Sequence, residues 1–434
     1  MTTHLQHKTQ TAQSIRLGHR TFDRVGDLPA ALIAAAHREH VRPVCLCRAA
    51  PGGVGMYIAR TSTGYTIKRM PDTGHLHDPT CASWAPPEAV SGRGPLTGRA
   101  IATTDDGATA LRLAVPLGAS SRSAPPPSAG DGAGKDATPS PSKLTLRGLL
   151  HYLWDEAGFT HWSPAMQGKR SWKVISYYLR QAAEDTTVGK VGLGGRLFTP
   201  EPYNADQRHL LAARRLRQLQ PALPPAPGKP ARYMLLIAEV KTIEPAAHGH
   251  RIIFKHLPDL PFIAPEGLVP QLVKRFPVEM ERFATNLELE EGDRHGHLML
   301  IGTFSVGNAG VGTLHSAAVM AVTDQWLPVD GIYPEHLLRV AVDEHRRFTV
   351  SLRYNLPPEQ SIATLTLTDS TPATVCHISD ATRAPADLTK LTEESGMQLW
   401  HWDITSDYMP DLPSPGRSSS RPMSTTPTDE RQDR

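Results

Sequence analysis

Apolar residues between positions 143 and 184 recur at helical spacing. Leu146, Leu149, Leu150, Leu153, Trp154 and Ala157 make one stripe, closed by Gly158 as a C-cap, and Trp172, Ile175, Leu179 and Ala182 make a second. Residues 189–199, with Gly192, Gly194 and Gly195, predict a short glycine-rich hairpin, and 210–219 a further basic helix. Elsewhere β-type runs dominate. Runs at 56–60 and 65–69 flank a turn at 61–64, and runs at 99–103 and 108–115 flank the turn-like Asp105-Asp106-Gly107. Further along, 233–243, 251–256, 297–306 and 317–323 read as strands. They surround one helical stretch at 268–283, which Pro270 and Pro277 limit or kink. The next segment pairs a helix at 334–348 with strands at 361–368 and 373–378. Near the N-terminus, Asp27 is placed to cap a helix running through Pro29 and 32–36.

These elements predict an α+β, multidomain protein. Residues 20–118 form a zinc-stapled β-hairpin module, 143–220 a helical, winged-helix domain, 231–330 a β-rich domain and 331–412 an α/β segment. The linker 119–142 and the tail 413–434 are expected to be disordered, because Ser, Pro, Gly, Thr and charge cannot bury a core. A proline-rich spacer at 220–230 is stiffer. With 46 Lys+Arg against 43 Asp+Glu the net charge is +3, so any nucleic-acid surface must be a local patch. No apolar run approaches the roughly 20 residues that cross a bilayer. The N-terminal residues lack the layout of a signal peptide, and a cytoplasmic location is expected. In a reducing compartment, four cysteines are read for metal rather than for disulfides.

Three of those cysteines fall in one short stretch: Cys45-x-Cys47, a hairpin, then His75-x-His77-x-x-x-Cys81. Structural zinc takes four thiolate or imidazole ligands in a tetrahedron, and a hairpin between two ligand pairs brings distant ligands together. The turn residues Pro71, Gly74 and Pro79 help the second pair curl round. Cys45, Cys47, His77 and Cys81 are the expected ligands of a structural Zn2+, with His75 as the competitor for the fourth position. Four protein ligands leave no open position for water, which favours a structural role over catalysis. Cys376, beside His377 on a strand, is expected to be a packed core thiol.

Two helices followed by a hairpin is the order of a winged helix-turn-helix. Residues 143–200 carry eight Lys/Arg against four acids, a local charge of +4. Lys169, Arg170, Lys173, Arg180 and Arg196 are the candidate DNA contacts, the first three at a helix start where backbone N–H groups also favour phosphate. Trp154, Trp162 and Trp172 are expected in the core. The competing readings are a protein–protein scaffold and a metal-dependent nuclease or hydrolase with a degenerate restriction-type core. For the nuclease, the strand 374–378 carries neither the acid nor the Glu-x-Lys that such a core needs. Glu239-Val-Lys241 does match Glu-x-Lys, but the preceding acidic strand is missing, and it reads more simply as a strand end meeting solvent. No phosphate-binding glycine loop, HExxH or nucleophile elbow occurs, and no small-molecule cofactor is evident.

Cys45-Leu-Cys47, Tyr57-Ile-Ala-Arg60, Lys68-Arg-Met-Pro71, Gly74-His-Leu-His-Asp78 and Cys81 resemble an uncharacterised bacterial family, domain of unknown function 1173. Leu149-Leu-His-Tyr-Leu-Trp154 and Gly168-Lys-Arg-Ser-Trp172 look like its second block, and the resemblance extends to about residue 405. It implies a bacterial protein met near plasmid or other mobile-element genes, and it brings no known activity. Read together, these features lead us to expect a zinc-containing, non-catalytic protein that binds DNA or other mobile-element proteins.

Overall fold

The structure is a computed structural model. It describes residues 14–416 apart from 49–51, 62–63, 71, 105–108, 119–139, 190, 227–231, 309, 358, 382–383 and 407. The Asp105–Gly107 turn, most of the linker and tail, Pro71 and Lys190 therefore lie outside the described residues.

The first sheet belongs to the N-terminal segment alone, in the order β2 (Arg20–Phe22), β1 (Ile15–Leu17), β3 (Val44–Cys45), β4 (Val54–Thr61) and β5 (Gly64–Arg69). The β4–β5 hairpin is the expected one, and α1 (Ala30–Arg38) packs on it with Ile33 and Ala36 buried. Asp27 does not cap α1. It ends a preceding 3-10 turn, and Pro29 occupies the cap position with no side-chain hydrogen bond.

The other three sheets each join strands from different segments of the chain. One runs β10 (Val191–Gly192), β9 (Thr186–Val188), β7 (Thr109–Leu111), β6 (Ile101–Thr103), with β7 and β9 parallel. The C-terminal sheet runs β21 (Gln398–Asp403), β20 (Thr374–Ser379), β19 (Leu365–Leu367), β18 (Phe348–Val350), and recruits β8 (His161–Trp162). The glycine-rich turn is thus tighter than expected, a hairpin of β9 and β10. β11 (Leu197–Phe198) leaves it to pair in parallel with β12 (Met234–Ala246). Strands from 143–200 enter three sheets, and these pairings form no self-contained winged helix.

β12 starts the central feature. Its first half pairs with β15 (His297–Val306) and its second half with β13 (Gly249–Phe254). β13 continues to β14 (Phe262–Ala264), β14 runs parallel to β16 (Gly312–Val322), and β16 returns to β15, with β17 (Pro328–Val329) added to β16. The ladder closes on itself as a five-stranded barrel. Closure needs β12 to bend, and its register shifts between Val240 and Thr242, leaving Lys241 as the bulged, exposed residue. Phe254, Phe262 and Phe304 meet edge to face inside. α5 (Leu268–Arg275) and α6 (Pro277–Glu288) lie between β14 and β15, separated at Pro277 as its missing N–H demands.

α2 (Leu146–Glu156) is apolar almost all round and is buried against β15 and β16. Thr145 caps it, accepting from the Gly148 N–H at 3.0 Å, while Asn355 Oδ1 accepts from the Thr145 N–H at 3.0 Å. Trp154, Trp162 and Trp172 are buried, as expected. α3 (Trp172–Glu184) and the exposed α4 (Arg208–Gln218) follow. α7 (Ile332–Asp343) ends earlier than its sequence pattern suggests, because His345 takes a left-handed φ of 58° and Phe348 opens β18. α8 (Ala386–Glu394) precedes β21.

Candidate metal centre and the open barrel face

Cys45 ends β3, and its backbone is held on both sides, opposite Ile15 of β1 and Val54 of β4. Gly53 makes that approach feasible: its φ is 71°, and a Cβ there would stand 2.6 Å from the Cys45 carbonyl oxygen. Two residues on, Cys47 turns back over the same end. The second pair comes from the chain after β5. A 3-10 turn at Gly74–Leu76 delivers His77, the Asp78 carboxylate accepts from the Thr80 N–H at 2.9 Å, and Cys81 N–H donates to the Asp78 carbonyl at 2.8 Å.

The four side chains converge. Cys45 Sγ lies 3.8 Å from Cys81 Sγ, and His77 Nδ1 lies 3.5 Å from Cys47 Sγ and 3.7 Å from Cys81 Sγ. All four donor atoms lie within 4.8 Å of one another. A tetrahedral zinc with bonds of about 2.3 Å to sulfur and about 2.0 Å to nitrogen has S–S edges of about 3.8 Å and S–N edges of about 3.5 Å. These three distances match such edges and the other donor pairs lie within 4.8 Å, so the residues fit a metal ion. Backbone N–H groups of Asp78 and Ser83 donate to Cys47 and Cys81 Sγ at 3.3 and 3.4 Å, which favours thiolates. Without a cation the thiols resist ionisation. Contact with the Cys45 thiol and then burial hold Cys81 up, and burial holds Cys47 up. His77 is fully buried, whereas His75 is exposed and outside the cluster. Cys376 is a buried core thiol, with His377 bonded to the Ile362 carbonyl at 2.8 Å.

The barrel's outer surface is covered unevenly. α2 lies over β15 and β16 and α5 reaches β13 and β16, while the outward residues of β13, β14 and the second half of β12 are exposed or half-buried. Lys241, Glu244 and Arg251 are exposed there, with Ile253 and Ile263 half-buried beside them. The β12–β13 turn, with the exposed His248, lies at one end of this face. Gly249 is required in the first turn. Its φ is 102°, and a Cβ would sit 2.2 Å from the Ala264 carbonyl oxygen.

The helical candidates divide. Lys169 and Lys173 are exposed at the start of α3. Arg180 donates to Thr199 Oγ1 at 3.1 Å, and Arg196 to the Tyr233 carbonyl at 3.5 Å. Arg170 is the correction. Its guanidinium points inward, donating to the carbonyls of Phe159 (3.0 Å), Gln325 (3.3 Å) and His161, and lying over the Phe159 and Trp162 rings. It is a core-bracing arginine. Sequence reading noted α4 as basic without naming its contacts. Four arginines and no acid occupy the helix, and Arg214 is tied to Glu201 while Arg208 and Arg217 are exposed.

Glu239 is the second correction. It is not a strand end in solvent: β12 runs on to Ala246, and Glu239 is buried between Lys255 and His297. Asp369 accepts from the buried Arg346 guanidinium at 2.9 Å.

The fold class and the site can now be stated. The chain is a mixed α/β protein with an N-terminal Cys₃His cluster able to hold a metal ion. Its central barrel has the 1-2-3-5-4-1 connectivity of five-stranded oligonucleotide- and oligosaccharide-binding barrels, third and fifth strands parallel and helices before the fourth. It belongs to the family described as protein of unknown function (DUF1173), whose model matches residues 15–405. No curated protein and no solved structure matches it. Among the described residues no helix is long and apolar enough to cross a membrane.

Proposed function

We propose that this protein binds single-stranded nucleic acid across the open face of its barrel, and that a structural zinc ion held by Cys45, Cys47, His77 and Cys81 fixes the N-terminal module beside it. The observation that carries the reading is which face stays open. In barrels of this connectivity the second and third strands, with the first and last hairpin turns, form the ligand track. Here those strands are β13 and β14, and their outward residues Arg251, Ile253 and Ile263 stay exposed or half-buried although α5 reaches β13. Arg251 and the bulged Lys241 supply positive charge, and Ile253 and Ile263 supply a flat apolar floor for bases. Glu244, opposite Arg251, tempers the charge, so a modest affinity is expected. Lys169, Lys173 and the arginines of α4 supply further phosphate contacts, since α3 and α4 are both tied to the 199–201 segment. Four protein ligands close the zinc site, which suits a structural ion.

Fluorescence anisotropy with single- and double-stranded oligonucleotides over a range of salt tests this. Single strands should bind more tightly. Lys241→Ala with Arg251→Ala should weaken binding across sequences and flatten the salt slope by about 1.4, at about 0.7 per phosphate contact. Absence of single-strand binding at low salt, or a double variant that binds like the parent, would overturn the reading.

A further inference from the structure

A second cluster of titratable groups lies where β12, β13 and β15 meet. Glu239, in the middle of β12, sits opposite Met299 of β15, which makes His297 its diagonal neighbour on the same face. His297 Nδ1 is 2.7 Å from Glu239 Oε1, and Lys255 Nζ is 2.9 Å from the same oxygen. The carboxylate is 5% exposed, the imidazole 17% and the ammonium 50%, so the cluster opens outward from a buried anion. Hydrogen bonds from His297 and Lys255 hold Glu239 below the ordinary carboxylate range despite its burial. With Nδ1–H donating inward, the lone pair of Nε2 is left. That atom has no hydrogen-bond partner among the described residues, and it is not enclosed.

The surroundings lock this orientation. Trp326 stacks on the His297 ring at 4.1 Å and 17°. Trp326 itself has a φ of 60°, an unusual backbone state for a bulky side chain. It is held there because its carbonyl accepts from Trp154 Nε1 at 3.3 Å, and Arg170 grips the neighbouring Gln325 carbonyl. Trp172 extends the stack to His256 at 5.6 Å. A simple buried ion pair would need neither a ring stacked on a tryptophan held in a left-handed backbone state nor a free outer nitrogen.

We propose that Glu239, His297 and Lys255 form an acid–base site for a phosphate-bearing ligand. Glu239 fixes the imidazole, Lys255 holds the phosphate beside it, and Nε2 takes the proton of a ligand hydroxyl or bound water. The imidazolium so formed is balanced by Glu239, which remains a carboxylate, and the proton returns by the same path. Lys255 follows Arg251 and Ile253 on one side of β13, so the site borders the open barrel face, but it does not depend on binding there.

The full-length, zinc-loaded protein can be treated with diethyl pyrocarbonate, which acylates an accessible imidazole nitrogen, and mapped by mass spectrometry. His297 should be modified despite its low exposure, and millimolar inorganic phosphate should slow that modification at least threefold. Lys255→Ala, at a half-exposed position that leaves the core intact, should keep the reactivity and lose the protection. A short single-stranded oligonucleotide separates the phosphate sources. Protection by free phosphate assigns a small-anion site, and protection by the oligonucleotide alone assigns a nucleic-acid phosphate. An unreactive His297, or a rate that neither probe changes, would overturn the proposal. So would phosphate protection that survives in Lys255→Ala.

Discussion

At the scale of single residues, the metal centre was legible because its chemistry is local. Three cysteines and a histidine within residues 45–81 can meet through one hairpin, and spacing alone points to them. Spacing did not choose between His75 and His77; burial at the end of a 3-10 turn does. Cys47→Ser should therefore abolish stoichiometric zinc, whereas His75→Ala should keep it, as measured by elemental analysis of the purified proteins. The thiols are held protonated in each other's company, so zinc must displace protons, and its affinity should rise steeply with pH. Glu239 was misread for the opposite reason, because its partners His297 and Lys255 come from strands that only the barrel brings alongside. His161 gives a separate pH dependence. Burial lowers it to about 4, with Nδ1 3.0 Å from Thr349 Oγ1. A histidine whose folded value lies below its unfolded value of about 6.5 stabilises the fold above that value. That contribution is lost as pH falls from about 6.5 towards 4. Unfolding free energies from urea melts at pH 7 and pH 5 should differ by roughly 1–2 kcal/mol for this group, and His161→Asn should shrink the difference.

Among elements, long buried strands and helices were readable and their partners were not. β15 lies where its apolar run predicts, and α2 and α3 follow their stripes. Closure of the barrel rests on the shift at Lys241 and on a parallel pairing between β14 and β16, which no local pattern encodes. The winged-helix expectation failed on the same ground, since β9 takes β7 as its partner from 77 residues away (109 to 186). Arg170 illustrates the cost of reading charge without packing. Near a helix start it resembles a phosphate contact, yet its donors serve buried carbonyls. Arg170→Ala should cost about 3 kcal/mol through unpaired acceptors and lower the thermal midpoint. Lys169→Ala with Lys173→Ala should leave the midpoint unchanged and weaken nucleic-acid binding. If Arg170→Ala melted like the parent, its carbonyl contacts would not be supporting the 323–327 turn.

The whole molecule is interlocked, yet one part has a core of its own. Ile15, Leu17, Ile33, Cys45, Met56 and Ile58 cluster around the metal centre, separate from the core that α2 shares with the barrel. Polar ties dock this module on the rest. Lys68 meets Asp185 at 2.8 Å, and just beyond the module Arg93 meets Asp155 at 3.1 Å and Glu156 at 2.9 Å. After residue 84 the chain is held differently. Gly92 N–H donates to the Leu352 carbonyl, and Val90 packs with Ala363, Val375 and Leu388. A structural zinc contributes on the order of 10 kcal/mol to a small module that it organises. That exceeds what a core of this size and a few half-exposed ion pairs supply alone. Chelation should therefore melt residues 15–84 and spare the barrel. Hydrogen exchange should show β1, β3, β4 and β5 losing protection while β12, β15 and β16 keep theirs. Single-strand binding should change less than threefold, because the open face is built from β12, β13 and β14, none of which belongs to the N-terminal module. Loss of protection in the barrel as well would mean that the polar ties couple the two cores into one cooperative unit, and the metal would then govern the binding face.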